Sequence, residues 1–173
     1  ARKAPGSLVT GQANVAVPDG PVARVCMEPS APPAYTPALD AIRDADLVVI
    51  GPGSLFTSII PNFLVSGIAE AVRECSGRVV YVCNVANLRG ETAGMDAADH
   101  VEALVAHGLA GAIDVALVDA PADPAVLHVE AGPGVLARIE ALGIHVRALW
   151  LASDDEPGRH DANRLRSALA EVW

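Results

Sequence analysis

Four short apolar runs, at 46–50, 79–83, 113–118 and 145–151, are each separated from the next by a segment with helical spacing. This alternation constrains the fold more than any other feature of the chain. Continuous apolar runs of that length, without a polar alternate, are typical of parallel strands covered on both faces. Parallel strands need a crossover, and helical patterns at about 58–75, 97–107 and 134–142 supply one after each of the first three runs. A last pattern, 161–172, carries Leu165, Leu169 and Val172 on one stripe. The expectation is α/β: one domain over 1–173, built as an open, mostly parallel, Rossmann-like sheet with helices on both faces.

Smaller signals fill the rest. Segments 8–17 and 22–27 read as two strands, a hairpin joined at Pro18-Asp19-Gly20-Pro21. A Pro-rich loop, EPSAPPAY, follows. Thr36 before Pro37 reads as an N-cap opening a short helix to 45, and Asp96 with Asp99 as another helix start. A short strand is expected at 126–129, and Gly132-Pro133 reads as the entry to helix 134–142.

The composition narrows the function classes. Of 173 residues 51% are hydrophobic and 19% charged, which excludes a disordered chain. Aromatics make up only 3%, so Val, Leu, Ile and Ala must build the core. Twelve Lys+Arg against 21 Asp+Glu leave a net charge of −9 with no basic block, so no nucleic-acid partner is expected. Phosphate can still be held locally, by backbone N–H groups and one or two Arg. Cys26, Cys75 and Cys83 form no CxxC and read as reduced thiols of a cytoplasmic protein. The longest apolar stretch, 59–72, is broken by Pro61, Asn62 and Ser66, so no membrane span is expected. The opening ARKAPGS is no signal sequence. The missing initiator Met points to a fragment or trimmed product.

Ligands of such sheets bind at the strand-to-helix turns beyond the carboxyl ends of the strands. Three turns qualify. In the first, Gly51-Pro52-Gly53-Ser54-Leu55-Phe56-Thr57-Ser58, the glycines allow close backbone approach and three hydroxyls precede a helix N-terminus. That suits a phosphate, a carboxylate or a sugar hydroxyl, or else it is an ordinary turn capped by Thr57 or Ser58. Gly132-Pro133-Gly134 lacks the hydroxyls and reads as structural. The second, 84–94, is longer than a link requires. There Asn84 and Asn87 can read a base or sugar edge, Arg89 a phosphate, and Glu91 with Thr92 can orient hydroxyls or a cation, or the loop is simply solvated. In the third, 158–161, His160 or Asp161 caps the last helix, and Arg159 is a ligand contact or a solvated charge. His100, His107, His128 and His145 match no metal or catalytic pattern and read as structural. Ser54 lies in no GxSxG elbow.

At these turns the chain resembles a known family. GPGSLFTSIIPNFLVSGIAEAV is similar to the signature GPGS(L)(Y/F)TSIIPNLLVxGIxEAI of the gluconeogenesis-factor (YvcK-like) family, and CNVANLRGETAGMDAADHVEAL is similar to its CNxMTQxGETxGYxxxDHVxAL. VTGQANVAV, EPSAPPAY and the closing GRHD match in order, so the resemblance covers nearly the whole chain. It departs at Val85-Ala86-Asn87-Leu88, where the family has MTQ. It also lacks the GGGxG turn and DDGGSSGR-like segment of the family's first half. The chain therefore looks like the C-terminal portion of an incomplete CofD-like three-layer domain, with part of the nucleotide site and the first strands absent.

The resemblance implies a cytoplasmic bacterial regulatory protein that binds a UDP-sugar, of the UDP-N-acetylglucosamine type, and links carbon metabolism to cell-wall synthesis and cell shape. No established reaction goes with such members, so it points to binding rather than catalysis. The alternative is a CofD-like 2-phospho-L-lactate transferase of deazaflavin coenzyme biosynthesis, for which Mg would be needed. CofD enzymes carry a GPSNP-type turn where this chain has Gly51-Pro52-Gly53-Ser54-Leu55, which favours the first reading. The resemblance assigns ligand contacts to Gly51, Pro52, Gly53, Ser54, Leu55, Thr57, Ser58, Asn84, Glu91, Thr92 and Arg159, with Arg159 on the phosphates. It names a nucleotide sugar and a protein of cell-wall or metabolic regulation as partners, and allows a homo-oligomer.

Overall fold

The four apolar runs form one parallel sheet in the order in which they occur along the chain. A computed structural model describes residues 2–3, 8–11, 14, 22–120, 128–156 and 158–173. An antiparallel ribbon of β1 (Arg2–Lys3) and β2 (Val22–Arg24) comes first. Then follow α1 (Thr36–Arg43), β3 (Leu47–Ile50), a π-helical turn at Leu55–Ile59, α2 (Ile60–Phe63) and α3 (Ile68–Glu74). The chain continues through β4 (Arg78–Val82), α4 (Ala97–Leu104), a segment at Val105–Leu109 kinked at His107 and Gly108, and β5 (Val115–Asp119). It closes with α5 (Pro133–Glu140), β6 (His145–Leu149) and α6 (Ala162–Val172).

The sheet order is β3-β4-β5-β6, parallel throughout. Crossovers between neighbouring parallel strands are right-handed, so a sequential order carries every connecting helix to the same face. Side-chain alternation sorts the central strands accordingly. Val79, Tyr81, Ala116 and Val118 pack with Ile60, Val72, Val101, Leu104 and Ile139. Val80, Val82, Val115 and Leu117 face the other way, toward Leu165, Ala168, Leu169 and Val172 of α6. Helices thus lie on both faces, several on one and α6 on the other. All five residues of β5 are buried, the first four as its apolar run predicts, whereas Val49 on the edge strand β3 stays 40% exposed.

The outcome differs from expectation at 8–17, at 58–75 and at Thr36. The strand expected over 8–17 is interrupted: Gly11 has φ 92, Asn14 is helical and bonds back to the Thr10 carbonyl, and the partner of β2 is Arg2–Lys3. The expected turn at Pro18–Pro21 and residues 12–13 and 15–17 lie outside the described residues. The single helix expected at 58–75 is three pieces: residues up to Ile59 belong to the π-helical turn, and Gly67, left-handed at φ 90, separates α2 from α3. Thr36 is the first residue of α1 rather than its cap, which is Tyr35. Of the strand expected at 126–129, only His128 and Val129 are described. His128 forms an antiparallel bridge with Ala86, and the Val129 N–H donates to Val85 O.

Candidate functional site

The turn after β3 is shaped by one glycine. Gly51 has φ 82, and a Cβ there would lie 3.0 Å from the Val82 carbonyl oxygen and 3.2 Å from Ile59 Cδ1, so the turn excludes any side chain. A Cβ on Gly53 would meet only Ile59, at 3.6 Å, and the fold itself leaves room for one. Leu55, Phe56 and Ile59 are buried and anchor the π-helical turn, while Pro52 and Ser58 are exposed and Ser54 and Thr57 half-buried.

A helix start of this kind was expected to offer its N–H groups to an anion. The structure corrects that: a carboxylate from the chain is already there. Glu91, 1% exposed, accepts from the N–H groups of Phe56 (2.7 Å) and Thr57 (3.0 Å) through Oε1 and from the Thr57 hydroxyl through Oε2 (3.2 Å). Neither Thr57 nor Ser58 caps the turn; Ser54 stands at the cap position without a side-chain bond. Among the described residues, nothing accepts from the N–H groups of Ser54, which is half-buried, and Leu55, which is fully buried.

The second turn is clipped to the first. The Asn84 side chain accepts from the Gly53 N–H (3.3 Å) and donates to the Gly53 carbonyl (2.9 Å), a two-point contact between the ends of β3 and β4. Gly51, Pro52, Gly53, Ser54, Thr57, Ser58 and Asn84 therefore form one wall, with the expected contacts Leu55 and Glu91 buried behind it. The neighbouring polar residues serve the loop's own shape. Thr92 is fully buried and its hydroxyl accepts from the Leu88 N–H. Asn87, expected to read a ligand edge, is buried; it donates to the Met95 carbonyl and accepts from His100 Nε2. Burial holds His100 down at about 4, hence neutral. Burial also pushes the Cys83 thiol up to about 12, which makes it an inert core group.

The third turn folds back over the same edge. His160 Nε2 donates to the Cys83 carbonyl (3.0 Å), and Gly158 lies against Ala86, whose Cβ would be 3.3 Å from one on that glycine. Asp161 caps α6 by accepting from the N–H groups of Asn163 and Arg164. Arg159 is thereby placed at the carboxyl edge of the sheet with the other two turns. Its guanidinium is exposed and pairs with Glu156 at 2.9 Å. An exposed pair of this sort is weak, so the cation is available to a stronger anion.

Asp119, which the sequence did not single out, meets at this edge with His128, expected to be structural, and His160, expected as a candidate helix cap. Asp119 ends β5, is 1% exposed and accepts from the N–H groups of Leu151 (2.6 Å) and Ala152 (2.9 Å). A carboxylate closing an otherwise apolar strand was the signal available for it. At the opposite end of the sheet is an open cavity of about 980 Å3, bordered by Asp46, Arg78, Asp114, Arg147 and Glu171. There Arg147 is paired with Glu171, and Arg78 donates to the Val172 carbonyl, so its cations already have partners. Among the described residues no three His, Cys, Asp or Glu side chains are grouped to hold a metal ion, and no helix is long and apolar enough to cross a membrane.

Comparison with known proteins agrees with this architecture. The family model described as 2-phospho-L-lactate transferase CofD matches residues 1–148. A gluconeogenesis factor from Halalkalibacterium halodurans is 36% identical over 96% of this chain and 54% of its own length. One from Bacillus subtilis is 35% identical over 96% of this chain and 55% of its own. A crystal structure of a UPF0052-family protein from Bacillus halodurans superimposes with a TM-score of 0.87 at 33% identity, covering 98% of this chain and 56% of that one. The chain thus spans about half the length of the curated relatives it matches.

Proposed function

The chain belongs to the CofD family, with gluconeogenesis factors among its relatives, and on that premise we propose that it binds a UDP-sugar of the UDP-N-acetylglucosamine type as a cytoplasmic regulatory module. Occupancy of the site biases a contact with a protein of cell-wall or metabolic regulation, through which carbon supply is linked to cell shape. The observation that carries the reading is the Asn84–Gly53 clip, which joins the two family-type turns into one preformed wall. Against that wall the diphosphate lies on the N–H of half-buried Ser54, and Arg159 exchanges Glu156 for a phosphate. A charge-assisted contact to a diphosphate is stronger than an exposed carboxylate pair.

Calorimetric titration of the chain with UDP-N-acetylglucosamine, with UDP and GDP as controls, tests this. Saturable, uridine-selective binding without consumption of the ligand is expected, and Arg159→Ala should weaken it by about tenfold, the factor that about 1.4 kcal/mol of lost interaction implies. Absence of binding, or equal affinity for GDP, would overturn the reading.

The second reading, phospholactyl transfer to a deazaflavin hydroxyl, is favoured by the description of the family model itself. A transferase would consume a nucleotide-activated lactate and yield a phosphodiester in the presence of Mg2+. Glu91, the carboxylate nearest the turn, is committed to backbone N–H groups, so the described residues do not assemble a cation site around it.

A further inference from the structure

Among the described residues, Asp119 is the one buried carboxylate at the carboxyl edge with an oxygen left over. Its Oδ1 receives two backbone N–H groups, from Leu151 and Ala152, which tie the end of β6 to the end of β5. Its Oδ2 is buried and makes no hydrogen bond. The nearest complementary atom is His128 Nδ1, at 3.5 Å, on a side chain only 13% exposed. That is an ion-pair distance, longer than a good N–H···O bond.

The imidazole is positioned from its backbone. His128 bridges Ala86, and the Val129 N–H is bonded to Val85 O, so His128 is strapped to the loop that carries Asn84. On the other side, Ala152 bridges His160, which is bonded to Cys83 O. The segments after β4, β5 and β6 therefore converge on the Asp119–His128 pair, at the sheet end where open α/β folds take their ligands.

A carboxylate is an acceptor only, so the ring nitrogen facing it must carry the proton. With Nδ1 carrying the proton and Nε2 bare, the ring presents Nε2 as an acceptor. The complement of a fixed acceptor beside a diphosphate wall is a hydroxyl. We infer that Asp119 orients His128 so that Nε2 accepts a hydrogen bond from a hydroxyl of the bound ligand, and that the pair is a hydroxyl-reading subsite. The subsite rests on the nucleotide-sugar reading above, with the hydroxyl one of the sugar or ribose. The 3.5 Å gap closes when the ligand is bound, as polar contacts at ligand sites commonly tighten on occupancy. Asp119 is a positioning residue; His128 is the contact.

Asp119→Asn separates this from a structural role. Its carboxamide oxygen stays on the two N–H groups of Leu151 and Ala152, and its NH2 then faces Nδ1, which must become the acceptor. Long-range 1H–15N spectra of the 15N-labelled chain should show neutral His128 as the Nδ1–H tautomer in the wild type and as the Nε2–H tautomer in Asp119→Asn. Titration should show UDP-N-acetylglucosamine bound about tenfold more weakly by Asp119→Asn and by His128→Phe. An Nε2–H tautomer in the wild type, or no change of tautomer in the variant, would overturn the pair whether or not ligand binds. Unchanged affinity in both variants would overturn the contact while leaving the nucleotide-sugar reading standing. If the wild-type chain bound no UDP-N-acetylglucosamine, that reading would fall and with it the subsite's ligand, while the tautomers would still decide whether the pair exists.

Discussion

Glu91 lies beneath the turn that carries the family signature, and its effect on stability follows from what it touches. Removing it strands two backbone donors, that of buried Phe56 and that of half-buried Thr57. Glu91→Ala is expected to cost about 2–4 kcal/mol in urea denaturation, and Glu91→Gln clearly less, because both N–H groups bind the single oxygen that an amide retains. Equal losses in the two variants would contradict this assignment. His100 gives a pH dependence. Its Nε2 donates to Asn87, whose own amide N–H is committed to Met95, so Nδ1 remains buried and unpartnered. Burial lowers it to about 4 from 6.5. Between those values the unfolded chain binds the proton and the folded chain does not. The stabilisation is present above pH 6.5 and is lost as pH falls toward 4, by up to about 3 kcal/mol. His100→Gln should flatten the stability profile over that interval, measured by denaturant midpoints at each pH.

At the scale of the element, caps were more legible than continuity. Asp96 and Asp99 form a reciprocal capping box on α4, as their three-residue spacing predicts, and Asp161 caps α6. These are local chemistry, readable from neighbours in the chain. Asp161→Ala is expected to lower stability by about 1 kcal/mol, seen as a lower melting temperature, because α6 is the helix that closes the second face of the sheet. The helix expected at 58–75 was illegible as three pieces. Its apolar spacing runs across 64–67, but Gly67 takes a positive φ, and the π-helical turn at Leu55–Ile59 is held by Glu91, a residue outside that window.

Over the whole molecule, the sheet is covered unequally. β4 and β5 are buried on both sides, while β3 is an edge among the described strands and exposes Val49 on the face that α6 closes farther along. An apolar edge of this kind favours pairing between chains. Val49→Lys is expected to reduce concentration-dependent association of the chain, followed by light scattering, with little change in melting temperature. Equal association in the two proteins would show that this edge is not the sticky surface.

The sequence alone sufficed for the four strands of the parallel sheet and for the carboxylate caps of α4 and α6. Those depend on spacing within a few residues: unbroken apolar runs need cover on both faces, and short carboxylate side chains reach only the nearest turn of helix. Tertiary structure alone decided that the strands are laid down in sequential order, which sends the connecting helices to one face. It also decided the site. Asn84 meets Gly53 across 31 positions, Glu91 meets Phe56 across 35 and Asp119 meets Leu151 across 32. The same residue types in the same local patterns would suit a solvated loop. Only the register of parallel strands brings their carboxyl ends together, and with them the wall and the buried pair.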